Sequence, residues 1–451
     1  MTSLSSKLLG VCQNSKAVVT LNYLHRKPTR ELVLSHILFT SVRTKYAKFS
    51  VSQVTSRYSS SSKLWGHHPI FVRDACACSI CVDPHSGQKN FKTTDIPQNI
   101  MAKSVKIVNE NMEIEWSDDI PGIQSHKSTI PLEQLSSSPN SLRRLREGQK
   151  PITWNSGYLN RQMPKLRFDY NQYINDSEIL HQVTSGIRAW GIVFLTSVPE
   201  TEDVVEIIAG RIGTVRMTFY GKTWNVKSVN EAKNVAYTDR YLGLHQDLLY
   251  MENPPGIQIL HCLKNSCKGG HSLFSDAFRA AAQLPAHDFD ILSKGQVAYH
   301  YQKDGEHFLH SHPVLEVGSS DQTDTGGVRV PLAVNYSPPF QAPFFMAPSD
   351  VNKRKLVYSL GKFAQKSEEP QNVFKYKLRP GECVIFNNRR ILHGREAFES
   401  QKGERWLKGC YLDTDVFMSR SRVVYDSVVN MGEGPNRIRR MSYGRSASSY
   451  S

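Results

Sequence analysis

The sequence predicts a mainly β chain with helices: a double-stranded β-helix, or jelly roll, preceded by a small zinc-binding β domain. Three observations predict it. Between Leu64 and about Leu135, runs such as "KSVKIVNENMEIEWSDD" alternate polar and apolar residues and are broken by Asp, Pro and Gly, as short strands are. From roughly Pro164 to Val429 strand-like runs outnumber helical ones, of which "SEILHQVTSGIRAW" and "SDVNKRKLVYSLGKFAQKS" are the clearest. Finally, His245 and Asp247 sit two residues apart in "LGLHQDLLY", and a strand-like run far downstream leads to His393. In an extended strand, side chains at i and i+2 share a face, so His245 and Asp247 could grip one ion together.

From the N-terminus, the first segment is set apart by charge. The chain has 451 residues and a formal charge of +15, which would suggest a nucleic-acid partner if it were spread evenly. Residues 1–63, however, hold six Lys and four Arg against the single acid Glu31, a net +9. They are also rich in Ser and Thr. That make-up is the one of a mitochondrial transit peptide, with a disordered basic arm as the alternative, so a matrix location is expected and a cytoplasmic one is the rival. No apolar run approaches the roughly 18 residues of a membrane span, so a soluble protein without a membrane partner is expected. A composition of 39% hydrophobic and 10% aromatic residues is ample for real cores.

Residues 64–135 form the expected small domain, 136–163 a linker opening on "SSSPNSLRRLREGQKP", 164–430 the larger domain and 431–451 a disordered basic tail. No internal repeat is present. Eight cysteines in a chain of this length, three of them crowded together, argue for a reduced compartment and against a disulfide framework. A homodimer is left open.

The crowded three are Cys76, Cys78 and Cys81. Three soft sulfur ligands within six residues can wrap a tetrahedral ion with little loop entropy to overcome, which points to structural Zn(II) rather than buried thiols. A fourth ligand must close the site. His126 is a candidate in the same domain, and His67, His68 and His85 compete with it.

His-x-Asp alone would equally be a surface turn. Its partners change that reading. In "PGECVIFNNRRILHGREAF" an apolar strand precedes His393, and His245, Asp247 and His393 together would make the two-histidine, one-carboxylate triad that leaves positions open on Fe(II) for a 2-oxo acid and dioxygen. Arg405 follows His393 by twelve residues on the next strand-like run, where its guanidinium could pair bidentately with the distal carboxylate of 2-oxoglutarate. This ordered set points to a jelly-roll oxygenase.

From about Leu64 to Arg422 the chain resembles the γ-butyrobetaine dioxygenase family, and more distantly the trimethyllysine dioxygenases. The likeness runs, in order, through "RDACACSIC", "TFYGKTW", "NVAYT", "PPGIQILHCL", "GGHSLFSDAF", "RILHGR" and "DVFMSRSR". It implies Cys76, Cys78, Cys81 and His126 as zinc ligands, His245, Asp247 and His393 as catalytic iron ligands, and Arg405 as the 2-oxoglutarate anchor, with ascorbate in support. It also implies that Tyr220, Trp224, Tyr237 and Tyr411 cage a trimethylammonium group through their ring faces, each worth on the order of 0.5 to 2 kcal/mol when desolvated. Without the resemblance these four aromatics read as core. Asn234 would hold the substrate carboxylate. A second carboxylate-binding Asn, expected of the family, falls within "VNYSPPF", where either Asn335 supplies it or Ser337 replaces it.

The reaction implied is hydroxylation of γ-butyrobetaine at C3 to L-carnitine. Trimethyllysine dioxygenase, earlier in carnitine biosynthesis, is the rival within the class, favoured by the leader. A non-catalytic trimethylammonium-binding module is the rival outside it, and the intact triad with Arg405 argues against that. A nucleic-acid binder fits least, because the excess charge lacks interleaved aromatics.

Overall fold

The computed structural model describes residues 67–123, 126–132, 135, 151–227, 238–318, 329–344 and 351–431, with no side-chain description at 429–431. The transit-like segment, most of the linker, Asn234, Tyr237 and the basic tail lie outside the described residues. No helix among the described residues is long and apolar enough to cross a membrane.

In the N-terminal part, a short helix, Pro69–Asp74, precedes three antiparallel strands, β1 (Ala102–Val108), β2 (Asn111–Trp116) and β3 (Lys127–Pro131), in the order β1-β2-β3. The β1–β2 hairpin closes through Asn109 and Glu110, both with positive φ, so the two-residue turn matches the twist of its strands. Alternation in β2 buries Met112, Ile114 and Trp116, and these meet Val72, Ile96, Ile100 and Ile130 in a core of their own.

The second part contains β4 (Arg167–Asp169), β5 (Ile192–Thr196), β6 (Trp224–Lys227), β7 (Leu242–His245), β8 (Ile257–Asn265), β9 (Ser272–Asp276), β10 (Gln296–Lys303), β11 (Glu306–Pro313), β12 (Leu315–Glu316), β13 (Ala333–Val334), β14 (Val373–Tyr376), β15 (Cys383–Asn387), β16 (Ile391–Arg395) and β17 (Arg405–Leu412). A six-stranded sheet runs β4-β5-β15-β8-β17-β6 and a four-stranded sheet runs β14-β9-β16-β7. Only β4 and β5 pair in parallel in these two sheets; the other neighbours are antiparallel. The sheets face one another. Phe194 of β5 meets Phe274 of β9 edge-on at 6.3 Å, and Phe274 meets Phe386 of β15 at 5.7 Å. The chain is thus mainly β with helices, in the two-sheet arrangement that a jelly roll requires.

One boundary is corrected. Residues 152–163, read from the sequence as linker, pack into the large core: Trp154 and Leu159 are fully buried, and Ser156–Gln162 is helical. The indole of Trp154 donates to the carbonyl of Trp190 at 2.7 Å, while Arg390 reaches the carbonyl of Ile152 at 2.7 Å. The long-range partners outweigh the local polar composition that suggested a loop.

Candidate active site

His245 ends β7, and β16 lies beside it so that His393 is its cross-strand partner. Asp247 does not continue that strand, as the sequence reading assumed. The chain turns: Leu248 has φ of 60°, and the Asp247 amide donates to Asn388 Oδ1 at 3.0 Å. Asn388 is fully buried, and its own amide donates to the carbonyls of Asp247 at 3.1 Å and Pro255 at 3.0 Å. A side chain from beyond β15 therefore fixes the carboxylate-bearing turn.

Three donor atoms converge there, all within 4.8 Å of one another. His245 Nε2 lies 3.3 Å from Asp247 Oδ1, and His393 Nε2 lies 3.7 Å from Oδ2. His245 Nδ1 is 2.8 Å from the carbonyl of Gly243; donating there assigns the proton to Nδ1 and leaves the Nε2 lone pair free. Burial, reinforced by the neighbouring His245, pulls His393 down to about 3, so its ring is neutral. Burial alone would raise Asp247, but His393, His245 and the Tyr411 hydroxyl outweigh it and hold the carboxyl well below its ordinary value. The neutral His393 ring, the free Nε2 lone pair of His245 and one carboxylate suit Fe(II), and three protein ligands leave positions for other groups.

The triad opens on a cavity whose empty space, with the open solvent at its mouth included, is about 740 Å³. Arg405, Leu407 and Tyr411 of β17 all line it, Arg405 and Tyr411 being about 20 Å apart along the strand at ~3.3 Å per residue. At the Arg405 end, its Nε donates to the carbonyl of Gly270 at 3.3 Å. Ser272, also lining the cavity, pairs across the sheet with Arg395. Arg405 is 5% exposed, has no carboxylate partner among the described residues, and is pulled down to about 10 by burial. A buried guanidinium without a counter-ion, facing a cavity, fits an anion.

The other end is aromatic. Trp224 stacks on Tyr411 with centroids 3.9 Å apart, and the hydroxyl of Tyr220 lies 3.5 Å from that of Tyr250. Three of the four expected cage residues, Tyr220, Trp224 and Tyr411, thus line one cavity, and Tyr237 and Asn234 fall outside the described residues. Neither Asn335 nor Ser337 lines it. The Asn335 amide group donates to Pro313 and Glu316 and its oxygen accepts from Arg389, so both N–H donors that could serve a substrate carboxylate are used. Sequence reading missed Tyr250, Phe340, Gln258, Arg395 and the supporting Asn388. Tyr250 closes the very stretch that contains His245, and Asn388 and Arg395 flank His393 in "NNRRILHGR"; nearness to a ligand was the available signal.

In the N-terminal part, Sγ of Cys76, Cys78 and Cys81 lie 3.5, 3.3 and 3.3 Å from His126 Nε2. Tetrahedral zinc with ordinary bond lengths separates sulfur from nitrogen by about 3.5 Å, so the four side chains fit it. The rivals are otherwise placed: His67 meets the carbonyl of Leu135 at 2.8 Å, His68 caps the first helix through Ile70 at 3.3 Å, and His85 is not in the cluster. His126 Nδ1 is held by Asp119 at 2.8 Å, and Arg73 bridges Asp119 at 2.6 Å and Cys81 Sγ at 3.2 Å.

Comparison with known proteins gives this arrangement a family. The profile described as "Taurine catabolism dioxygenase TauD, TfdA family" matches residues 155–411, and that of "Gamma-butyrobetaine hydroxylase-like, N-terminal" matches residues 61–131. The chain is 36% identical to dioxygenase str8 of Strobilurus tenacellus, over 78% of this chain and 84% of that protein. It is 30% identical to the γ-butyrobetaine dioxygenase of Pseudomonas sp. (strain AK-1), over 79% and 90%. With the mitochondrial trimethyllysine dioxygenase of Homo sapiens the identity is 29%, over 79% and 82%. The chain belongs to the TauD/TfdA dioxygenase family and is a 2-oxoglutarate-dependent dioxygenase.

Proposed function

We propose that this dioxygenase hydroxylates γ-butyrobetaine at C3 to give L-carnitine, as a step of carnitine biosynthesis. One observation carries the reading: a single cavity joins a buried guanidinium with no carboxylate partner among the described residues, an open two-histidine, one-carboxylate triad, and an aromatic wall. His245, Asp247 and His393 would hold Fe(II), and Arg405 would take the distal carboxylate of 2-oxoglutarate. Bound iron and 2-oxoglutarate supply the oxidising power for C–H hydroxylation, with succinate and carbon dioxide as by-products. The chain's share is placement. Tyr220, Trp224 and Tyr411 offer ring faces to an ammonium head that has no N–H to donate, and largely apolar walls surround the reacting carbon. Asn234 and Tyr237 would complete the grip at the carboxylate and the head. Cys76, Cys78, Cys81 and His126 would hold a structural zinc.

Trimethyllysine is the second reading, because relatives of 27 to 29% identity carry that activity in their names and because the leader is basic. It shares the ammonium head, so discrimination lies at the other end, where its extra α-ammonium needs an acceptor. Succinate release by the purified chain with Fe(II) and either substrate decides. Faster turnover of trimethyllysine would replace the first reading.

The leader supports a mitochondrial matrix location. A reporter fused to residues 1–63 should enter mitochondria, and a cytosolic reporter would leave the basic-arm alternative standing.

A further inference from the structure

Tyr411 belongs to two environments at once. Its ring is stacked on Trp224 at 3.9 Å with the planes 23° apart, while its hydroxyl donates to Asp247 Oδ2 at 2.6 Å. The stack depends on the next inward-facing position of β17, Gly409, which pairs across the sheet with Trp224. A Cβ at Gly409 would sit 2.7 Å from two indole carbons, so only glycine leaves the slot in which the indole lies. The hydroxyl, for its part, is a short donor to the carboxylate oxygen that faces His393, and Oδ1 faces His245 Nε2 at 3.3 Å.

We propose that the Tyr411 hydroxyl is a positioning group for the metal-binding carboxylate, separable from the role of the Tyr411 ring as a wall of the aromatic end. By occupying one lone pair of Oδ2 it fixes the rotation of the Asp247 carboxylate and presents Oδ1 to a metal beside His245. The main chain of Asp247 is held independently by Asn388, so the hydroxyl sets the remaining freedom, rotation about the side-chain bonds. This inference rests on the reading of His245, Asp247 and His393 as a metal site.

The full chain is tested with two probes, Mn(II) followed by electron paramagnetic resonance and tetramethylammonium followed by tryptophan fluorescence. In Tyr411→Phe, Mn(II) affinity falls roughly 10- to 100-fold, the loss usual for a group that orients a ligand, whereas tetramethylammonium affinity stays within about threefold because the ring remains. Unchanged Mn(II) affinity in a folded Y411F overturns the proposal, as does an equal loss of both ligands. Should Y411F fail to fold, Gly409→Ala carries the test: displacing the indole weakens tetramethylammonium more than Mn(II), and the reverse order overturns the separation. Wild-type protein that binds Mn(II) no better than His393→Ala instead removes the underlying metal-site reading.

Discussion

The cysteine cluster of the N-terminal part and the triad of the large core are both gatherings of metal-ligating side chains, and they are built oppositely. The first draws three candidate ligands from residues 76–81 and a fourth from His126, all buried but the half-buried Cys78, and braces them with Asp119 and Arg73. The second takes ligands from residues 245, 247 and 393, stops at three, and faces a cavity. Closure suits a metal that substitutes for core, and openness suits a metal that must share its coordination with reactants. The surroundings agree. Besides Cys76 and Cys81, the N-terminal core contains nine buried apolar residues among those described, a scale at which domains usually need a staple. The triad sits between a six-stranded and a four-stranded sheet whose facing side chains form the large core.

The strongest way to break this contrast is at the open site. His393→Ala should lower succinate formation by at least about a hundredfold, since even groups that merely orient metal ligands cost 10- to 100-fold. Its melting temperature should move by roughly 4 °C or less, because the surrounding sheets supply the stability. Parallel loss of stability and turnover would mean that the triad is also structural, and the contrast would fail.

Cys78→Ser should do the reverse. Amide exchange protection in β2 and β3 should collapse, while succinate formation falls less than about tenfold, because structural zinc contributes folding energy outright. Acid should act in the same direction. Burial, with the neighbouring Cys76, pushes the Cys81 thiol up to about 12 in the absence of metal, with Arg73 pulling the other way. Zinc must therefore displace a tightly held proton, and its affinity falls as pH falls. Zinc content measured from pH 8 to pH 5 checks this; a flat profile would contradict thiolate ligation.

How much was legible in the sequence follows the same division. The cysteine cluster was readable because its three members are nearly contiguous, whereas placing His126 beside them rather than three other histidines took a family likeness or a structure. His245 and Asp247 could be read as a pair, but on the wrong geometry: period-two alternation assumes a continuing strand, and the turn at Leu248 with its Asn388 clamp comes from 141 residues away. Trp154 was misplaced for the same reason, since its partners Trp190 and Asp276 are distant. Arg405 was legible as a cation at the right spacing. That it is buried with no carboxylate partner among the described residues, the property that would suit it to an anion, is a fact of packing.

The smallest expected effect sharpens the comparison most. Asp119 accepts from Arg73 Nε on one oxygen and meets His126 Nδ1 with the other, and its side chain is only 11% exposed. Asp119→Asn keeps the shape but replaces one accepting oxygen with an N–H₂ group, so either Arg73 or His126 faces a donor. His126 then loses its fixed tautomer or Arg73 its anchor beside Cys81, and zinc affinity should drop roughly 10- to 100-fold without loss of any ligand. At saturating zinc the variant should regain its fold, which Cys78→Ser should not, and at limiting zinc it should melt earlier. A competing chelator chromophore reads the affinity and thermal melts read the fold. If D119N held zinc as tightly as the wild type, the Asp119–Arg73 brace would be ordinary core polarity, and enclosure by four ligands alone would account for the closed site.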